Sequence, residues 1–188
     1  MKTAAIISLA ALISQVSLAE GAGTVDMQFS NAPVSAAVQW IARLTKEPVI
    51  VPESVTGVFT YQSKGHVAAE EAIDGLTAAL KANNLQLVNI NQTYYRLLPV
   101  SETNATADVQ RAEVEVEGDH VVVDGKPIAY AELPQALKPL VGPDKEIWVH
   151  DAVATGGLGL SVNANQYLMP LHQARPKRIC FAYMPSDK

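Results

Sequence analysis

The histidines of this chain are its best candidates for acid–base or metal chemistry, and they are widely separated: His66, His120, His150 and His172. No HExxH motif or i, i+4 histidine pair occurs, so the spacing predicts no metal site. His150-Asp151, at the end of a predicted strand, is the best acid–base pair. Adjacent residues on a strand point to opposite faces, however, and no activated nucleophile stands near them. We therefore expect no catalytic residue.

A glycine-rich segment between a predicted strand and a predicted helix could in principle hold a phosphate group. It contains Gly156, Gly157 and Gly159, but it lacks the lysine and hydroxyl of GxxxxGK[ST]. It also fails GxGxxG, because Val162 occupies the third glycine position. We interpret the segment as a turn and expect neither a cofactor nor a small-molecule substrate.

Cys180 is the only cysteine, so no disulfide can form within the chain. It lies in an apolar stretch, where cysteine behaves as a small buried hydrophobic residue. The alternative is an intermolecular disulfide in an oxidising compartment. The sequence leaves both open.

The composition is that of a folded, acidic protein. Of the 188 residues, 48% are hydrophobic and 18% are charged, and the formal net charge is −5. Such a chain buries a core, but it has no excess of basic side chains to neutralise phosphates. We expect no nucleic-acid partner.

The N-terminus predicts export. Lys2 precedes an uncharged, mostly apolar run from Thr3 to Ala19, and Ser17 and Ala19 form a small-x-small signal-peptidase pattern. We predict a signal peptide over residues 1–19, cleaved after Ala19, and a periplasmic mature protein. An uncleaved membrane anchor is the alternative.

Residues 24–98 are predicted to form the first of two small α/β units. Apolar residues alternate from Thr24 to Ser30, which predicts a strand, and recur at helical spacing from Val34 to Leu44. Ser30 or Asn31 is predicted to cap this helix. A second helix is predicted from Val67 to Ala82. Short apolar runs predict further strands, at Val49–Val51, Val58–Tyr61, Leu85–Ile90 and Thr93–Leu98.

Residues 99–112 are polar and without apolar periodicity, which predicts a linker. The second unit, residues 113–188, is predicted in the order ββαβαβ. Its elements are strands from Val114 to Glu117 and at His120–Val123, a helix at Tyr130–Val141, a strand at Ile147–Val149, a helix at Val162–Ala174 and a strand at Arg178–Tyr183. The expected fold class is α/β of the α+β type, with two mixed-sheet domains that each pack two helices on a short sheet.

The first unit resembles the periplasmic N-terminal domain of secretins, which is shared with TonB-dependent receptors. The likeness rests on VDMQFSNAPV, WIARLTKEPVIV, PESVTGVFTYQS, EEAIDGLTAALKANNLQLV and the hairpin VNINQTYYRLLP, in that order. The resemblance implies docking to envelope components or cargo without chemistry. A secretin also needs further ring domains and a pore region, so we expect an accessory protein.

The second unit resembles the periplasmic domain of the ExbD and TolR proteins, which work beside proton-driven motors. The matching stretches are VVVDGKPIAYAELPQAL, EIWVHD and LHQARPKRICFAY. That family carries an acidic residue in an N-terminal spanning helix, whereas Thr3 to Ala19 has none. The resemblance implies an accessory of TonB/Tol-type energy transduction as an alternative function.

Two classes of function follow. The first is a non-enzymatic interaction module of a bacterial envelope secretion or transport machine, with envelope proteins as partners and a homo-oligomer as an option. The second is a small secreted enzyme with an unrecognised site. For the first, we predict a docking surface on the short strand at Gly57–Tyr61, together with Trp40. Its members are Gly57, Val58, Phe59, Thr60 and Tyr61. The alternative is that Phe59 and Tyr61 complete the core and that Trp40 flanks it.

Overall fold

The computed structural model describes residues 15–18, 24–102, 110–117, 119–151 and 164–185. For residues 15–18 the backbone alone is described. The elements of the first half are β1 (Gln15–Leu18), β2 (Thr24–Pro33), α1 (Val34–Thr45), β3 (Val49–Pro52), β4 (Val58–Gln62), β5 (Val67–Ala68), α2 (Ala69–Ala82), β6 (Leu85–Ile90) and β7 (Tyr94–Pro99).

The second half begins after a 3₁₀ turn at Val100–Glu102. Its elements are β8 (Arg111–Glu117), β9 (His120–Val123), β10 (Lys126–Ala129), α3 (Leu133–Leu137), β11 (Glu146–Asp151), α4 (Ala164–Gln173) and β12 (Arg178–Tyr183). No helix among the described residues is long and apolar enough to cross a membrane.

A small antiparallel sheet is built around β2. In it β1 and β4 lie on opposite sides of β2, and β5 pairs with the start of β2 on the β4 side. A bulge interrupts the β2–β4 register between Phe29 and Ala32. Asn31 there has a φ of 50°, and its backbone N–H donates to Thr60 Oγ1 at 3.1 Å. Asn31 therefore shapes the bulge and does not cap α1, whose N-cap is Pro33.

The first core lies where α1 and α2 pack against both sheets. Its fully buried members come from β2, α1, α2, β3 and β7, and include Met27, Phe29, Val38, Ile41, Leu76, Leu80, Val49 and Leu97. The apolar stripes of the two helices supply this packing, as their spacing predicts.

A single eight-stranded sheet runs through both halves, in the order β10-β9-β8-β11-β12-β3-β7-β6. The junction is the antiparallel pairing of β12 with β3, in which Phe181 faces Val51 and Ala182 faces Ile50. The α+β fold class is confirmed. The expectation of a separate short sheet in each half is wrong, because apolar alternation predicts a strand without showing which neighbour completes its edge.

The second core lies on one face of this sheet beneath α3 and α4. It contains apolar residues of β8, β9, β11 and β12 and of both helices, among them Val114, Val121, Leu133, Leu137, Ile147, Tyr167, Leu171 and Phe181. Pro170 lies inside α4.

Two details of the second half differ from the sequence prediction. The polar strand β10, which contains Lys126 and Pro127, is absent from the sequence prediction, so three strands precede α3 in the described part of the second half. The helix predicted over Tyr130–Val141 is a 3₁₀ turn at Tyr130–Glu132 followed by the five-residue α3. Pro139 follows two residues after α3, and a proline that close ends a helix.

Candidate functional site

The predicted docking strand corresponds to β4, which is an edge strand. It pairs with β2, and no second strand pairs with it among the described residues. Gly57, with a φ of 134°, leads into it, and the Gly57 carbonyl accepts a hydrogen bond from the Val34 backbone at 3.0 Å. The side chain of Val58 is 50% exposed. An edge strand of this kind presents unpaired backbone groups to a partner.

The hydrogen bonds after β4 show which amides face the free side. Ser63 N–H donates to the Met27 carbonyl at 2.9 Å, and Met27 N–H donates to Ser63 Oγ at 3.0 Å. Ser63 therefore faces β2. Because successive residues of a strand alternate in direction, Tyr61 also faces β2, whereas the backbone groups of Thr60 and Gln62 face away from it.

The aromatic side chains of β4 are not surface groups. Phe59 is 2% exposed, and its ring centroid lies 5.1 Å from that of Phe29 in the core. Tyr61 is half-buried against the same core. Burial and the nearby Glu71 carboxylate raise the pKa of Tyr61. A docked strand would therefore gain ladder hydrogen bonds from β4 and little aromatic contact.

Trp40 lies on α1, not on the small sheet. It is half-buried against the first core, and the Arg43 guanidinium lies 5.2 Å from its ring centroid. It stands six residues along the helix from Val34, or about 9 Å at a rise of about 1.5 Å per residue. Trp40 and β4 are thus separate features, and it is Val34, at the start of α1, that bonds to Gly57 before β4.

The described residues contain no group of three potential metal ligands. His172 Nε2 lies 3.1 Å from Glu53 Oε1, His120 contacts Asp119, and His150 Nε2 lies 4.0 Å from Glu113 Oε2. These three histidines therefore lie beside three different carboxylates, and none of them lies in a shared cluster among the described residues. The Asp151 side chain and the glycines at 156, 157 and 159 lie outside the described residues.

An open cavity of about 310 Å³ lies at the seam between the halves. Its lining residues are Glu53, Ser54, His172, Arg175, Pro176, Lys177, Arg178 and Ile179. Arg178 also pairs with Glu102 at the end of the first half. The cavity is polar and cationic, and its contacts join the two halves without forming a nucleophile–base pair.

A buried ion pair that no pattern in the sequence marks crosses the two halves. Arg96 on β7 and Glu146 on β11 are 0% and 2% exposed, and Arg96 Nη2 donates to both carboxylate oxygens at 2.9 and 2.8 Å. Trp148 Nε1 donates to the same carboxylate at 3.1 Å. Burial alone would raise the pKa of Glu146, but the hydrogen bonds from Trp148 and Arg96 outweigh it and lower the pKa.

The environment of Cys180 distinguishes between a buried core residue and an intermolecular disulfide. The residue is 0% exposed and lies beside Glu146. Burial and that carboxylate raise the pKa of the thiol to about 12. A buried, protonated thiol is a poor partner in disulfide exchange, so the structure favours the core role over an intermolecular disulfide.

Comparison with known proteins concerns mainly the first half. Residues 27–97 match the family model of the GspD-like N0 domain. This match confirms the resemblance of the first unit to secretin N-terminal domains. No comparison supports the ExbD/TolR resemblance of residues 113–188, and no curated protein matches the chain significantly.

Two solved structures of secretin fragments are similar to part of the chain. One is described as the structure of XcpQN012, with 18% identity, a TM-score of 0.38, and coverage of 64% of this chain and 49% of that chain. The other is the S210C dimer mutant of the N-terminal domain of the secretin XcpQ from Pseudomonas aeruginosa. It has 19% identity, a TM-score of 0.37, and coverage of 64% and 50%. The aligned part of this chain thus spans about half the length of these structures.

Proposed function

We propose that this protein is a non-enzymatic, periplasmic interaction module of a bacterial secretion machine related to the secretins. The match of residues 27–97 to the GspD-like N0 domain carries the proposal. The predicted signal peptide supports the compartment, and the dispersed histidines give no support to an enzyme. In this role the protein binds another envelope component and performs no chemical step.

The edge of β4 is the docking surface in this proposal. Its outward-facing backbone groups at Thr60 and Gln62 would pair with an extended segment of the partner, which is a recurrent mode of peptide recognition. Val58 adds an exposed apolar side chain beside this ladder. Phe59 and Tyr61 support the edge from the core side, and Trp40 on α1 would provide a second, separate contact.

The proposal is tested by site-specific photo-cross-linking in the native envelope. A cross-linking residue at Val58 is expected to capture a secretion component, which mass spectrometry identifies. The matched control is the same residue at Lys126, an exposed position on β10. Equal, low cross-linking at both positions would contradict docking at β4.

Two substitutions at Thr60 distinguish the contribution of its backbone to partner binding from that of its side chain. Thr60→Pro removes the outward-facing N–H, so we expect loss of the Val58 cross-link. Thr60→Ala keeps that N–H but loses the hydrogen bond that Thr60 Oγ1 accepts from Asn31, so the cross-link is expected to remain. A folded Thr60→Pro protein that still cross-links at the wild-type level would exclude this edge.

A further inference from the structure

The strand β1 lies within the segment that the sequence predicts to be removed from the mature protein. It pairs antiparallel with β2 along its whole length: Gln15 faces Gln28, Val16 faces Met27, Ser17 faces Asp26 and Leu18 faces Val25. The predicted cleavage site follows Ala19 directly. Processing would therefore remove a complete strand from the small sheet.

Hydrogen bonding within β2 shows which groups this removal would expose. On the β4 side, the Met27 carbonyl accepts from the Ser63 backbone N–H, and the Met27 N–H donates to Ser63 Oγ. Because residues alternate along a strand, the backbone N–H and C=O groups of Asp26 and Gln28 face β1. Without β1 these groups have no strand partner among the described residues, whereas the opposite side of β2 stays paired with β4 and β5.

The stretch of β2 that pairs with β1, Val25–Gln28, lies before the bulge and carries one charged residue, Asp26. Thr24 to Ser30 contains no lysine and no proline, whereas the edge strand β10 carries both, at Lys126 and Pro127. Proteins use such residues to block strand addition at exposed edges. An edge that lacks lysine and proline and is covered only by a removable segment is suited to a second occupant.

We propose that Gln15–Leu18 is a placeholder for a partner strand on the edge of β2. Once the leader is removed, an extended, uncharged segment of a partner protein pairs antiparallel with Val25–Gln28 in its place. The sequence QVSL, which carries no charge, indicates the chemistry that this edge accepts. The inference rests on the proposed function as an interaction module, but it assigns a different edge, on the side of β2 opposite β4.

Amide hydrogen exchange measured by NMR tests the inference without the natural partner. The two forms compared are the mature protein and the full 188-residue chain with Ala19→Gln, which blocks the cleavage site. We expect the amides of Asp26 and Gln28 to exchange at least about tenfold more slowly in the uncleaved chain, because a ladder hydrogen bond protects them. The Met27 amide, which bonds to Ser63, is the internal control and exchanges equally in both.

A synthetic peptide covering residues 12–19 then serves as the strand supplied in trans. Added to the mature protein, it is expected to restore slow exchange at Asp26 and Gln28. Gln28→Pro removes one edge-facing donor and is expected to weaken peptide binding at least about tenfold, whereas Gln28→Ala keeps the donor and binds normally. Gln28 is exposed, so neither change removes a core contact.

Three results would overturn the inference. They are a leader that remains on the native protein, equal exchange of Asp26 and Gln28 in the two forms, and a peptide that leaves both amides unprotected. None of these results bears on the Val58 cross-link, so failure at β2 and failure at β4 are distinguishable.

Discussion

Besides the β12–β3 ladder, two charged residues on mostly apolar strands, Arg96 and Glu146, join the two halves of this molecule. Arg96 stands within YYRLLP and Glu146 opens EIWVHD, and each would be costly to bury alone. Both are buried because they meet each other. The sequence shows two unexplained charges but not their pairing, since 50 residues separate them and the contact depends on the order of strands.

We expect Glu146→Gln to destabilise the protein strongly at neutral pH. The change leaves the buried Arg96 guanidinium without a counter-charge, and breaking a buried pair in this way costs about 3–5 kcal/mol. Urea unfolding at pH 7 measures this loss in the free energy of unfolding. The matched control is Glu113→Gln, whose ion pair with Arg111 is exposed and contributes about 0–1 kcal/mol.

The same pair gives the wild-type protein a defined pH dependence. The pKa of Glu146 is lowered by folding, so its stabilisation is present above the pKa of the unfolded state and is lost as the pH falls through the folded value. The difference between wild type and Glu146→Gln should therefore shrink below about pH 4.3, the ordinary pKa of glutamate. A difference that is small at pH 7, or that grows in acid, would contradict this account.

At the scale of elements, the strands and helices with strong apolar periodicity follow from the sequence. The bounds of α1 and β12 lie within a residue of their predicted positions, because each buries one regular face. β10 could not be predicted from its own residues, since Lys126 is polar and Pro127 has no N–H to donate to a ladder. The strand forms because it pairs with β9. The bulge at Asn31 was also missed, because it depends on β4.

The contact between α2 and β4 can be tested at a single glycine. A Cβ added at Gly75 on α2 would lie 2.6 Å from the ring carbons Cε2 and Cζ of Tyr61. We expect Gly75→Ala to lower the melting temperature, because overpacking costs about 1–3 kcal/mol and exceeds the helix propensity gained, about 1 kcal/mol.

The sign of this effect should reverse once the ring is absent. In a Tyr61→Ala background, Gly75→Ala meets no ring and gains helix propensity, so it should stabilise by up to about 1 kcal/mol. Thermal unfolding is measured for four proteins: the wild type, Gly75→Ala, Tyr61→Ala and the double variant. Together they form a double-mutant cycle. Destabilisation of equal size in both backgrounds would show that Tyr61 is not the neighbour that limits position 75.

At the scale of the whole molecule, the sequence predicts two units and the structure joins their sheets. The polar composition of residues 100–110 still predicts the first site of limited proteolysis. Of the predicted linker, residues 99–112, residues 103–109 lie outside the described residues, and independent folding of the halves stays a prediction. What composition could not show is the β12–β3 ladder, since both strands are apolar runs without a marked partner.

We expect a chain cut between residues 100 and 110 to remain assembled. The ladder between β12 and β3 and the Arg96–Glu146 pair hold the halves together after the backbone is cleaved. Size-exclusion chromatography in native buffer should give one peak containing both fragments, which separate when the same sample is denatured in urea. Elution as two native peaks would show that the halves are independent.

The position of β3 gives the second half a protective role. All four residues of Val49–Pro52 are buried, with the first core on one face and Ile50 within the cluster of Tyr94, Trp148 and Cys180 on the other. A first half produced alone would present this strand as a bare edge that is apolar on both faces. Such edges recruit further chains and lead to aggregation. We therefore expect the first half to aggregate when it is produced without the second half, whose strand β12 covers this edge.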